Sequence, residues 1–344
     1  MPVRLKDIAR DLGVSAVTVS KVLRNHPDIG EETRKRVLAR IRELNYQPNL
    51  AARALVTGKT LSVGLVVPDL VHPFFGEMAK GLSRVLQAAG YGLLIASSEE
   101  DPSLERREIE QILARRVDAL IVASTQTDAS ESMRRVLDRR VPLVLVDRRA
   151  PGVAADFVGI DDTKAGWLAT THLIQQGCRH IAHIEGPAVS TGVGRRDGYL
   201  QALRACGMPV IDSYTVPRGS GDYEGDIQGH KAMNRLLDIA PRPDGVFCYN
   251  DITGAGALRA VLDAGLRVPE DVAIIGCGNV RYSQFLSVPL SSVDQNCGAI
   301  GEQAARLALA LMDAREPLSP TTLLLDPTLV VRRSSDRKGN SQQQ

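Results

Sequence analysis

Residues 5–23, LKDIARDLGVSAVTVSKVL, decide how the rest of the chain is read. Leu5, Ile8, Ala9 and Leu12 recur at helical spacing, and Gly13 stands where a residue of positive φ commonly closes a helix. Ser15 is a good N-cap for a second helix whose buried stripe is Val19, Val22 and Leu23. Two short helices about a glycine-containing turn make a helix-turn-helix, which presents the start of its second helix to base edges in the major groove. A third amphipathic helix is expected from Glu31 to Leu44, with Val37, Leu38, Ile41 and Leu44 facing the first two. On the second helix the exposed set is Ala16, Val17, Ser20 and Lys21. Ala16 and Val17 offer apolar contact, for example to a thymine methyl, and Lys21 can donate to guanine. The hydroxyls of Ser15, Thr18 and Ser20 suit phosphates, which position a helix without reading sequence. The alternative for this stretch is a three-helix bundle used for protein contact.

Charge divides the chain in the same place. Residues 1–60 carry 12 Lys/Arg against 6 Asp/Glu, whereas residues 61–330 carry 26 against 33. A small basic head on a larger acidic body is the footprint of a nucleic-acid module joined to a domain of another purpose. After Tyr46 comes Asn49-Leu-Ala-Ala-Arg-Ala-Leu55, a helix-forming run too short to be stable alone in water. It is expected to order as a hinge helix at 49–56, with Leu55 able to wedge between base steps from the minor groove. The alternative for Leu55 is packing on the next domain.

Residues 5–23 together with EETRKRVLARIRELNYQPNLAARAL (31–55) resemble the DNA-binding head and hinge helix of the LacI/GalR family of transcriptional regulators, and the likeness runs to about residue 333. The resemblance implies a double-stranded DNA operator of palindromic form, a homodimer to read it, and a small-molecule effector, most commonly a carbohydrate. It places Ala16, Val17 and Lys21 at the major groove and Leu55 at the operator centre, with Leu5, Arg24, Tyr46, Asn49 and Ala52 as further DNA contacts. Two departures stand out: Arg24 replaces a usual Asn, and Gly30 replaces the usual Ser cap of the third helix.

Beyond Leu61 short apolar runs alternate with helix-length segments. SVGLVV (62–67), GLLIAS (92–97), ALIVAS (119–124) and PLVLVD (142–147) read as buried parallel strands, and a second series, FVGI (157–160), IAHI (181–184), GVFCYN (245–250) and VAIIGC (272–277), repeats the alternation. The fold class is therefore a small all-α helix-turn-helix head plus an α/β core of two doubly wound parallel-sheet lobes, which the resemblance identifies as periplasmic-binding-protein-like. The expected division is a head at 1–60 and a two-lobed body at 61–333. Its N-lobe takes about 61–160 plus 291–320, its C-lobe about 161–290 plus 321–333, and 334–344 is a disordered tail.

Ligands of doubly wound sheets sit outside the carboxyl ends of the strands. The cleft candidates are accordingly Asp69, His72, Phe74, Phe75, Ser124, Asp147 and Arg148 on one lobe, and Arg195, Tyr223, Asn250 and Asp251 on the other. Aromatic faces with Arg, Asn and Asp groups suit a hydroxyl-rich or heterocyclic ligand. By family position Phe74 is an aromatic contact, Arg195 grips the effector, Tyr223 stacks, and Asp251 lies in an effector-contacting segment. The alternatives are that Phe74 is core, Arg195 pairs with Asp197, and Asp251 caps the following helix. Gly278 stands where the family usually has an effector-binding Asp.

Enzyme signatures fail on inspection. GCGNVR lacks the third glycine of a dinucleotide loop, the GKT at Gly58 lacks the upstream glycine of a P-loop, and no GxSxG occurs. His180 and His183 have no third metal ligand nearby. Five widely spaced cysteines (Cys178, Cys206, Cys248, Cys277, Cys297) contain no CxxC pair and read as reduced thiols, so neither metal nor cofactor is expected. No apolar stretch approaches the ~20 residues of a membrane span, and the first twenty residues are no secretion signal, so a cytoplasmic protein is expected. The tail SSDRKGNSQQQ lacks apolar heptads and cannot add a coiled coil, which makes a dimer the expected assembly. A small-molecule binding protein without DNA recognition is the other functional class open to this sequence.

Overall fold

The computed structural model describes residues 3–23, 26–46, 54, 58–128, 131–217, 225–316 and 319–339. The expectations for Arg24, Asn49, Ala52, Leu55 and Tyr223, and for the hinge helix apart from Ala54, lie outside these residues. The chain divides into two compact units, Met1–Thr60 and Leu61–Gln344.

In the first unit α1 (Leu5–Leu12), α2 (Ala16–Leu23) and α3 (Glu31–Glu43) enclose a core of Ile8, Ala9, Val19, Val22 and Val37. Asp7 accepts the Arg4 N–H at 2.9 Å, which satisfies one of the donors a helix start leaves over. Gly13, at φ 64°, closes α1 by donating to the carbonyls of Ala9 and Arg10. Arg40 bonds Asp11 at 2.6 Å and ties α3 to α1. Burial of one such aliphatic side chain contributes ~1.5–3 kcal/mol, so a core this small leaves little to spare.

In the second unit β1 (Ser62–Val67), α4 (Pro73–Ala88), β2 (Gly92–Ser97), α5 (Pro102–Ala114), β3 (Ala119–Val122), α6 (Glu131–Asp138), β4 (Leu143–Val146) and β5 (Asp156–Ile160) build one lobe. The other is built by α7 (Asp162–Gln175), β6 (Ile181–Glu185), α8 (Ser190–Ala205), β7 (Thr215–Pro217), α9 (Gly225–Leu237), β8 (Gly245–Cys248), α10 (Asp251–Asp263), β9 (Ala273–Cys277) and β10 (Ser291–Asp294). The chain then returns through α11 (Cys297–Asp313) and β11 (Thr322–Leu325) to the first lobe and ends on β12 (Thr328–Val330) in the second. The sheet orders are β11-β5-β4-β3-β1-β2 and β12-β10-β9-β8-β6-β7. All pairings are parallel except β10 with β12. Each sheet reverses its strand order once, beside β1 and beside β6, and those switch points open a crevice at the strands' carboxyl ends.

The lobe boundaries differ from the expected ones at two crossings. Residues 291–294 belong to the second sheet, because buried Ser291 and Ser292 are stitched there by hydrogen bonds rather than by an apolar run. Residues 322–325 extend the first sheet beside β5 and do not open the second lobe. The chain therefore crosses between 294 and 297 and between 325 and 328. The tail expectation also changes. Ser334 and Ser335 are buried, Ser334 Oγ donates to the Ile274 carbonyl at 2.6 Å, and Arg337 Nε donates to the Pro269 carbonyl at 2.9 Å. Residues 334–339 are thus a strap on the second lobe, held by polar side chains that a hydrophobicity pattern does not register.

Candidate functional site

The head presents the start of α2. Ser15 Oγ accepts the Thr18 N–H at 3.0 Å and lies 2.9 Å from the Thr18 hydroxyl, so the two hydroxyls form the cap. Val17 is 62% exposed, an apolar side chain displayed where a packed bundle would hide it. Ala16 and Ser20 are half-buried, and Lys21 reaches Asp28 at 2.6 Å. His26 also contacts Asp28, and the Lys21 and His26 partners hold that carboxyl below its usual range, Lys21 first. Leu5 and Tyr46 pack half-buried against the head's core.

Between the lobes lies a cavity of ≈ 20 Å³, room for about one water. Seven of the eleven cleft candidates line it: His72, Phe74, Phe75, Asp147, Arg148, Arg195 and Asn250. Tyr249, Cys277 and Gln295 line it too, and none of them was among the cleft candidates. Tyr249 and Cys277 follow or end strands, so the rule that found Asn250 also reaches them. Gln295 follows β10, whose SSVD carries no apolar signal.

Each lining group is fixed from its own lobe. His72 caps α4, its Nδ1 accepting the Phe74 N–H at 3.2 Å, and Asn250 caps α10, its Oδ1 accepting the Thr253 N–H at 2.9 Å. The two caps meet across the cleft, with Asn250 Nδ2 3.1 Å from His72 Nε2. Phe74 and Phe75 meet edge to face at 5.1 Å, buried in the core and lining the cavity. Asp147 follows β4 at φ 58°, a backbone region non-glycine residues rarely occupy and one often found at binding sites. Gln295 Nε2 lies 3.5 Å from its carboxylate.

Both cavity arginines are held by carboxylates. Arg148 donates through both Nη atoms to Glu100, at 2.8 Å each. Arg195 donates through Nε to Asp162 and through Nη1 to the Tyr249 carbonyl, both at 2.9 Å, and its Cζ lies 4.8 Å from the Tyr249 ring centroid. The alternative pairing of Arg195 with Asp197 is not the one formed. Close packing of α7 on α8 sets this geometry: a Cβ on Gly166 would stand 2.1 Å from the Arg195 carbonyl oxygen. Burial pushes the Asp162 carboxyl up to about 7, against the opposing pull of Arg195.

Three candidates sit elsewhere. Asp69 accepts the Val71 N–H at 2.7 Å within the β1–α4 loop. Ser124 is fully buried and donates to Glu105 at 3.1 Å. Asp251 is neither cavity ligand nor helix cap. Its carboxylate accepts from Ser292, Ser283 and the Val280 N–H, clamping β10 and the loop after β9 to the start of α10. Gly278 has φ 125°, while a Cβ there would meet only ordinary contacts, Val280 at 3.6 Å and Gln295 Oε1 at 3.9 Å. Backbone conformation, not space, therefore opposes a side chain at the position of the family's Asp. Among the described residues no group of three or more His, Cys, Asp or Glu could hold a metal ion, and no helix is long and apolar enough to cross a membrane.

The family described as "Bacterial regulatory proteins, lacI family" matches residues 4–49, and "Periplasmic binding proteins and sugar binding domain of LacI family" matches residues 60–317. The HTH-type transcriptional regulator GalR of Escherichia coli (strain K12) is 37% identical over 331 residues, covering 96% of this chain and 95% of the relative. The HTH-type transcriptional repressor PurR of Yersinia pestis (strain Pestoides F) is 34% identical over 335 residues, covering 96% of each. A solved transcriptional regulator CelR–cellobiose complex superposes at TM-score 0.72 with 32% identity, covering 96% of this chain and 99% of that one. The lac repressor dimer bound to operator and the anti-inducer ONPF does so at TM-score 0.84 with 23% identity, over 97% and 99%, a likeness of fold.

Proposed function

This chain belongs to the LacI family of bacterial regulatory proteins, and from that membership we propose that it is a homodimeric repressor of a palindromic operator, controlled by a small carbohydrate bound between its two lobes. It is a DNA-binding transcriptional regulator with an effector-binding domain, as GalR and PurR are transcriptional regulators and not enzymes. It acts in the cytoplasm, where the DNA is. Ala16, Val17 and Lys21 read base edges, Ser15, Thr18 and Ser20 contact phosphates, Leu55 wedges at the operator centre, and Leu5, Arg24, Tyr46, Asn49 and Ala52 make further DNA contacts.

The observation that carries the effector reading is the cavity at the strands' carboxyl ends, where aromatic rings meet carboxylate, amide and guanidinium groups from both lobes. Cellobiose in the related CelR complex supports a carbohydrate. Drug-sized ligand pockets hold ~300–1,000 Å³, so a cavity of ≈ 20 Å³ must open to admit a sugar. Opening separates His72 from Asn250, and that lobe rotation is the motion a ligand can couple to the head.

The test is operator affinity measured with and without each sugar that raises Tm in a thermal-shift screen. A sugar at ~100 Kd stabilises by ~2.7 kcal/mol, well within reach of such a screen. A hit that changes operator affinity at least tenfold, with both effects lost in Asn250→Ala, is expected. A hit that leaves operator affinity unaltered contradicts the coupling.

A further inference from the structure

Two arginines on one small cavity suggest an anion site, and their bonding argues the reverse. Arg148 spends both Nη atoms on Glu100 in a paired geometry at 2.8 Å, which is how guanidinium would otherwise grip a phosphate or a carboxylate. Arg195 gives Nε to Asp162 and Nη1 to the Tyr249 carbonyl. Among the described residues three carboxylates, Asp147, Glu100 and Asp162, thus stand against two guanidiniums at and behind the cavity wall.

Helix N-termini are the other common source of anion affinity. Two reach the cleft, and each has a backbone donor taken by its own cap, Phe74 N–H by His72 and Thr253 N–H by Asn250. Asp147 then faces any ligand with negative charge, while Gln295, Asn250 and the aromatic rings offer hydrogen bonds and apolar contact without charge.

We infer that the cleft selects an uncharged polyhydroxy effector and rejects sugar phosphates and sugar acids, because its two arginines are neutralised from within by Glu100 and Asp162. This rests on the reading of the cleft as the effector site. Glu100 and Asp162 become specificity-determining residues that act through Arg148 and Arg195, and removing either turns the cleft toward anions.

The experiment is a thermal-shift titration of the full chain with inorganic phosphate at pH 8, ionic strength held constant with sodium chloride. At that pH a carboxyl lifted to about 7 is ionised. In the wild type no phosphate-dependent rise in Tm that depends on Arg195 is expected. Asp162→Asn should acquire one, with phosphate affinity at least tenfold tighter and the gain reversed by adding Arg195→Lys. If Asp162→Asn does not fold, Glu100→Gln provides the same measurement at Arg148.

A saturable phosphate effect in the wild type that Arg195→Lys or Arg195→Gln abolishes overturns the inference. So does a folded Asp162→Asn or Glu100→Gln with wild-type indifference to phosphate. Failure of the effector reading shows separately: a sugar that stabilises wild type and Phe74→Ala equally removes the sugar from the cleft, whatever phosphate does.

Discussion

Two ion pairs of similar length sit in opposite surroundings, Lys21 with Asp28 at 2.6 Å on the head and Arg195 with Asp162 at 2.9 Å in the cleft. The side chains of the first pair are 35% and 49% exposed, those of the second 3% and 11%. Water and salt compete for the exposed pair, so it contributes little to stability and its lysine can change partners. The buried pair cannot be exchanged for water. Breaking it from one side leaves a charge with nowhere to go. Geometry alone makes the two look alike, and their surroundings leave one able to change partners and hold the other fixed.

The sharpest way to break this contrast is Arg195→Ala. It removes bonds to Asp162 and the Tyr249 carbonyl together, and a loss of about 3–5 kcal/mol in urea unfolding is expected for a half-broken buried pair. Asp162→Asn keeps an oxygen to accept from Arg195 Nε and removes only the charge, so it should cost less. A larger loss in Asp162→Asn than in Arg195→Ala would contradict that ordering.

His183 extends the argument to a buried group that must stay neutral. Its ring stacks on Phe247 at 4.8 Å, its Nδ1 donates to the Phe247 carbonyl at 2.9 Å, and Nε2 is buried without a hydrogen-bond partner. Burial, the leading cause, takes its pKa down to about 4. The unfolded chain binds a proton near 6.5 and the folded chain does not, so stability is full above 6.5 and falls as pH drops toward 4. That loss amounts to about 3 kcal/mol for a shift of this size. Asp162 acts in the other direction, since a raised carboxyl pKa costs stability as pH climbs from 3.8 to about 7. The informative quantity is therefore wild type against His183→Phe between pH 4 and 7. A parallel pair of curves would show that His183 is not held neutral.

The smallest effect on stability and the clearest on function is expected at Asp28. Asp28→Asn should leave Tm unchanged within error while releasing Lys21, which on random sequence, with no matching base edge, falls to a phosphate. Affinity for a random duplex should rise severalfold, and the salt slope should steepen by roughly 0.9 for one added phosphate contact. A variant that binds random DNA as wild type does would show that Asp28 does not restrain Lys21.

Much of this was legible in the residues, for reasons that also explain the gaps. Apolar runs such as SVGLVV announce strands because buried parallel strands are hydrophobic on both faces. SSVD at 291–294 is buried just as deeply, but Ser291 and Ser292 earn their place by bonding Arg332 and Asp251, which no periodicity displays. The strand-end rule gathered His72, Asp147 and Asn250 onto one cavity because the topology puts those ends together. It misplaced Ser124 and Asp251 because the same loops need their own polar clamps, supplied by Glu105 and by Ser283 with Ser292. Asp162 and Glu100 escaped notice because their function is to hold an arginine rather than to face a ligand.

The most direct test of the central claim is selection from a pool of random duplexes with the full chain, followed by affinity for the selected site at several salt concentrations. A regulator of this kind returns a palindromic site, bound far more tightly than random sequence, with affinity falling steeply as salt rises. Recovery of no symmetric site, or an affinity indifferent to salt, would contradict the account.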